Sequence, residues 1–169
     1  MAIKRQLNCF MGASWGQTAK IRVIFVTSIP SSMVTAHSTY LGSLRCENVH
    51  LQSGTQILTD APTDNQGMGS AFSPTDLCAL SLTTCIITTM GIYAQGKGLE
   101  ILEASGETTK HMASDPRCIA AIDVRITLRL GAGQDAHSQE VLRRVAHTCP
   151  VARSLHTDIV QRVELHFLD

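Results

Sequence analysis

The sequence has little charge, and what it has cancels: among 169 residues, 14 are Lys or Arg and 14 are Asp or Glu, leaving a formal net charge of zero. Without a basic surplus there is no electrostatic footprint for a phosphate backbone, and with aromatics at 4% there are few platforms for base stacking, so nucleic acid is not an expected partner. Cysteines are present, at 9, 46, 78, 85, 118 and 149, but Cys-x-x-Cys pairs and zinc-finger spacings are not, which argues against a structural metal site. The short, loop-rich character of secreted disulfide scaffolds is also missing, so the thiols read as free ones in a reducing, cytoplasmic compartment. Acid is absent from the N-terminal stretch, where the first carboxylate is Glu47.

That acid-free leader carries Lys4, Arg5, Lys20 and Arg22. Its apolar run Ile21 to Ile29 is broken by Arg22 and lacks a small-residue cleavage site, which is unlike a secretory signal. We read residues 1–32 as an N-terminal extension outside the domain: an organelle-targeting segment, a disordered tail, or an unused upstream start with Met33 the true beginning. Residues 33–169 then form one domain, a length that supports one sizeable core.

Charge is also missing from Leu77 to Gln95. The segment opens as a helix, with Ser73 able to cap, Pro74 at the first helical position and Asp76 at capping-box spacing, and it closes with Gly96 and Gly98. Since no face is marked for water, burial on nearly all sides is expected. Four threonines and the lack of flanking basic clusters make it a core helix, not a membrane span. One subunit has trouble covering such a helix, so a homodimer is expected.

Around this helix the pattern is of strands. Ala36–Leu41, Leu44–Leu51 and Thr55–Asp60 read as an antiparallel meander with a Gln52-Ser53-Gly54 turn, and residues 61–72 as a loop. Beyond the helix, Glu100–Lys110 is a strand of weak alternation and Ser114-Asp115-Pro116 a turn. Ile122, Val124, Ile126, Leu128 and Leu130 then alternate with Asp123, Arg125, Thr127 and Arg129, the clearest strand in the sequence. Asp135–Thr148 is amphipathic, Val151–Leu155 is a short helical piece after Pro150, and Val163, Leu165 and Phe167 alternate in a last strand. Three strands, helix, two strands, helix, short helix, strand make an α+β fold of antiparallel sheets.

Two cysteines stand apart. Cys85 lies at the centre of the uncharged helix, and Cys149 directly precedes Pro150, where unpaired N–H groups at a helix start favour a thiolate. The plain alternative for both is a small apolar residue filling the core. Cys78, two helical turns before Cys85, reads as packing. Cys46 follows Arg45 and would point to the opposite side of a strand from it, Cys118 and Cys9 read as incidental, and His111, His147 and His156 as solvated or core histidines.

Ser73-Pro74, Asp76-Leu77, Cys85 and, 64 residues further on, Thr148-Cys149-Pro150-Val151 together resemble the OsmC/Ohr family of thiol peroxidases. Tyr40-Leu41-Gly42-x-Leu-Arg45, Asp60-Ala61-Pro62, Lys110-His111-Met112 and Asp115-Pro116 add to the likeness, which covers about 36–168. The resemblance implies an intertwined dimer in which curved antiparallel sheets wrap long central helices. It implies Cys85 as peroxidatic cysteine, oxidised by an organic hydroperoxide to a sulfenic acid, and Cys149 as resolving cysteine, closing a Cys85–Cys149 disulfide. A dithiol, of lipoyl type on a carrier protein, would re-reduce it, with no metal, haem or flavin. A buried thiolate needs a cation, and the family takes an arginine from the early strands: Arg45 matches, with Arg125, Arg129 and Arg153 as later candidates. The family glutamate that orients this arginine is replaced by Thr75, so Asp76 either holds Arg45 or only caps the helix. The alternative function is a non-catalytic apolar-ligand-binding or redox-sensing protein, with acyl transfer as a third option.

Overall fold

The structure is a computed structural model that describes residues 23–24, 34–133 and 136–168. Apart from 23–24, the leader reading lies outside the described residues, as do Cys9, Met33 and Asp135. The chain divides into two compact units, with the boundary between Pro74 and Thr75.

The first unit holds an antiparallel sheet of β1 (Ala36–Gly42), β2 (Arg45–His50) and β3 (Gln56–Asp60). The β1–β2 turn uses positive φ at Gly42, Ser43 and Leu44, and the β2–β3 turn uses it at Gly54. Asp60 donates its backbone N–H to the Phe72 carbonyl at 3.1 Å, returning the end of the 61–72 loop to β3. The loop itself contains a short 3-10 turn, Thr63–Asn65.

The second unit opens with nearly all of α1 (Pro74–Lys97), which ends where Gly98 takes φ +67° and Leu99 N–H closes on the Ala94 carbonyl at 2.9 Å. Next come β4 (Ile101–Ser114), β5 (Arg117–Leu130), α2 (Ala136–Ala146), α3 (Pro150–Ser154) and β6 (Val160–Leu168). The element order is the one read from the sequence. Two details differ. β4 runs four residues past Lys110, because its polar side chains give no periodicity from which to read its end. More importantly, β6 pairs with β5 in parallel, from Ala121 opposite Val160 to Arg129 opposite Leu168, so this sheet is mixed and not purely antiparallel. A parallel neighbour requires a crossover connection, which α2 and α3 supply.

The inward side of this sheet carries Ile122, Val124, Ile126 and Leu128, all at most 2% exposed, as their alternation predicts. α1 packs its Ala79, Leu82, Ile86 and Met90 into the same core and also buries Thr83 and Ala94, a stripe with the 3–4-residue spacing of one helix face. The expectation of burial on nearly all sides is thus not met within one chain. Ile92 is 68% exposed, since the β4–β6 sheet covers a single flank of the helix. α1 is the one described helix with the length and hydropathy of a membrane span. Its buried face is nonetheless joined to the sheet by a polar contact, Thr83 Oγ1 to Thr108 Oγ1 at 2.5 Å. Gly106 permits that approach: a Cβ there would lie 2.5 Å from Thr83 Cγ2. α2 buries Leu142 and Ala146, while Arg143 reaches the Leu165 carbonyl at 2.9 Å and lies over the Phe167 ring.

Candidate functional site: a paired thiol

Cys85 sits on α1 one residue before the buried stripe position Ile86, and its side chain is half-buried. Cys149 occupies the N-cap of α3 with non-helical backbone (φ −52°, ψ 126°), followed by Pro150, whose ring cannot continue α2 but suits a helix start. Cys149 is fully buried in the core that also receives Ile86. The crossover from β5 to β6 therefore brings the two distant cysteines together. The Cys85 sulfur lies within hydrogen-bonding reach of the Cys149 thiol, and both cysteines are free thiols.

The two sulfurs have opposite tendencies. Burial pushes the Cys85 thiol up, but hydrogen bonds from the Cys149 thiol, the Val151 N–H and the Thr89 hydroxyl, 4.0 Å away, together hold it below its ordinary value. Cys149 is raised, first by burial and then by donating to Cys85, despite help from the Ala152 and Val151 N–H groups. Of the two, Cys85 is thus the thiol that gives up its proton more readily. This corrects the expectation that the start of α3 favours a thiolate at Cys149: burial outweighs the N–H donors there. The groups that lower Cys85 are moreover neutral hydrogen-bond donors, where a neighbouring cation was expected.

Asp76 accepts from the Lys110 ammonium at 2.6 Å, and Lys110 also donates to the Thr75 hydroxyl at 2.8 Å. Of the two roles left open for Asp76, the structure adds a third, anchoring the first turn of α1 to β4. In the first unit, Arg45 stands directly opposite Asp60 in the β2–β3 register. Asp60 is 1% exposed, and its carboxyl is held low by the Ser70 backbone N–H and hydroxyl, then by the Met68 N–H and the charge of Arg45. Its Oδ2 takes the two Ser70 bonds at 2.9 and 2.7 Å, whereas its Oδ1 and the Arg45 Nε are buried with no hydrogen-bond partner among the described residues. Arg125 and Arg129 are occupied elsewhere in the second unit, on the outer face of the β4–β6 sheet. Arg125 meets Glu107 and Glu164 at 3.3 and 3.2 Å, and Arg129 meets Glu103 at 3.6 Å. His111 meets Asp123 on that face at 2.9 Å, and His156 pairs with Asp158 at 3.5 Å. Among the described residues no group of three or more His, Cys, Asp or Glu could hold a metal.

Sequence reasoning missed Val151 and Thr89. A backbone N–H carries no side-chain signal. Thr89 did carry one, since a residue four places after Cys85 shares its helix face.

A family model described as OsmC-like protein matches residues 67–164, more than half of the chain. The chain belongs to the OsmC family. A solved structure of a candidate osmotic stress induced and detoxification response protein from Psychrobacter arcticus is 46% identical, with a TM-score of 0.73, covering 79% of this chain and 96% of that one. An OsmC organic hydroperoxide resistance protein from Legionella pneumophila shares the fold at 16% identity (TM-score 0.60; 78% of this chain, 94% of that one). So does an organic hydroperoxide resistance protein from Elizabethkingia anophelis at 10% identity (TM-score 0.63; 88% and 100%). No curated protein matches the sequence. Within the OsmC family, Cys85 and Cys149 are thus seated on the fold that the motif resemblance implied.

Proposed function

We propose that this OsmC-family protein is a cysteine peroxidase that reduces organic hydroperoxides in the cytoplasm. One observation carries the reading: two cysteines far apart in sequence meet in the core, with the anion favoured on the more accessible sulfur. The Cys85 thiolate attacks the distal oxygen of the hydroperoxide. The O–O bond breaks, its electron pair leaves with the alkoxide, which takes up a proton to become the alcohol, and Cys85 becomes a sulfenic acid. Cys149, after losing its proton, attacks the Cys85 sulfur, a disulfide forms and water departs. An external dithiol, of lipoyl type, then exchanges with the disulfide and returns both thiols. Arg45, which stands opposite Asp60 in the β2–β3 register, is proposed to assist the thiolate. The working form is proposed to be a homodimer, supported by the exposed Ile92 on α1 and by Tyr40, Leu41 and Ile57 exposed on the first sheet.

The experiment is one equivalent of cumene hydroperoxide added to the reduced protein, followed by intact-mass measurement and peptide mapping. A Cys85–Cys149 bridge is expected in the wild type, and a sulfenic acid at Cys85 in Cys149→Ala. Neither product forming would end the reading. Sedimentation at micromolar concentration should give twice the mass of one chain.

A second reading has its own support. Thr75 fills the family glutamate position and Asp76 is engaged by Lys110, so the scaffold could serve as a redox sensor that oxidises once without efficient turnover. Steady-state turnover with a dithiol separates the two.

A further inference from the structure

A cavity of about 260 Å³ lies in the second unit beside the α2–α3 connection that carries Cys149. Ile86, Ala146, Ala152 and Val163 give it apolar walls, and His147, Arg153 and Gln161 supply its polar groups. Three features specify an occupant. First, no carboxylate lines the cavity, and among the described residues the Arg153 guanidinium and the His147 ring have no hydrogen-bond or ion-pair partner. Second, Gln161 donates its Nε2 to the Ala152 carbonyl at 3.0 Å, which fixes its amide across the gap between β6 and α3. Third, the size is just below the roughly 300–1,000 Å³ usual for small-molecule sites, which suits a short chain and not a long acyl tail.

From these features we infer that the cavity is a binding site for a small amphipathic carboxylate, its short aliphatic chain against Ile86 and Val163 and its head group on Arg153 and His147. A planar guanidinium is the side chain best matched to a carboxylate, through two parallel N–H···O bonds. The site is distinct from the thiol pair but shares its supports. Ile86 follows Cys85 in α1, and Ala152, a wall of the cavity, gives its N–H to the Cys149 sulfur.

The test uses the full chain carrying Cys85→Ser, so that failure of the peroxidase reading leaves it unaffected. Binding of hexanoate is followed by saturation-transfer NMR and by the methyl resonances of Ile86 and Val163. Hexanoate should bind saturably and move both resonances, about tenfold tighter than hexanol, and Arg153→Gln should remove about that tenfold advantage while hexanol binding stays unchanged. His147→Gln should weaken hexanoate by a smaller factor, and palmitate should bind no better than hexanoate. Absence of saturable binding, equal affinity for acid and alcohol, indifference to Arg153→Gln, or shifts away from Ile86 and Val163 would each overturn the proposal.

Discussion

The two units of the chain solve the problem of burial differently. Every apolar side chain that is buried among the described residues belongs to the second unit, around Ile86, Met90, Ile122, Ile126, Leu128 and Leu142. The first unit buries polar groups instead, Thr59, Asp60 and Ser73, and leaves Tyr40, Leu41, Leu44, Ile57 and Phe72 about half exposed. Among the described residues the second unit thus has a core of its own and the first does not, and a three-stranded sheet without a covered apolar face is marginal in water. The difference also sorts the chemistry. The thiol pair lies in the unit with the core, where low polarity makes each hydrogen bond to sulfur count, and the buried carboxylate Asp60 lies in the unit without one.

The largest expected effect tests this contrast directly. Ile126→Ala should cost about 2–5 kcal/mol in chemical denaturation, whereas the exposed Ile57→Ala should stay within about 0.5 kcal/mol on one chain. A large, concentration-dependent cost at Ile57 would instead show that its face is covered in the dimer. Gly106→Ala should cost about 1–3 kcal/mol, because the new methyl meets Thr83 Cγ2, whose hydroxyl is tied to Thr108. Cys149→Ala removes a donor to the Cys85 sulfur. The pH midpoint of Cys85 alkylation should therefore rise, and the rate at neutral pH should fall; an unchanged midpoint would mean that Val151 and Thr89 suffice.

The smallest effect concerns the outer face of the β4–β6 sheet. The Arg162 guanidinium, paired with Asp123 at 2.7 Å, holds its carboxyl below the ordinary value, and His111 adds to it. A carboxylate lowered in the folded state contributes stability above its unfolded value of about 3.9, and loses that contribution as pH falls towards and through the folded value. Asp123→Asn should therefore destabilise slightly at neutral pH and flatten the acid limb of the stability profile. A limb as steep as that of the wild type would assign the acid sensitivity elsewhere, with Asp60 the next carboxylate to replace.

Much of this was legible in the sequence, and the reasons are specific. Strand β5 declared itself because alternate positions from Ile122 to Leu128 face a core and the residues between them face water. Lys110 did not declare itself as the partner of Asp76, since 34 residues separate them and only the packing of β4 along α1 brings the ammonium to the helix start. Thr89 was overlooked beside four other threonines in the same helix, which composition does not distinguish.

The sequence by itself determined the order of elements and the one core-facing strand of clear period, since periodicity is a local property of a chain, while the pairing of Cys85 with Cys149 was implied by the family resemblance. Only the tertiary structure decided that β6 runs parallel to β5, that one flank of α1 is covered while Ile92 faces out, and that Cys85 is lowered while burial raises Cys149. Strand direction, the covered flank of an uncharged helix and the acidity of a thiol all depend on neighbours remote in sequence, several of them backbone N–H groups that no residue letter records.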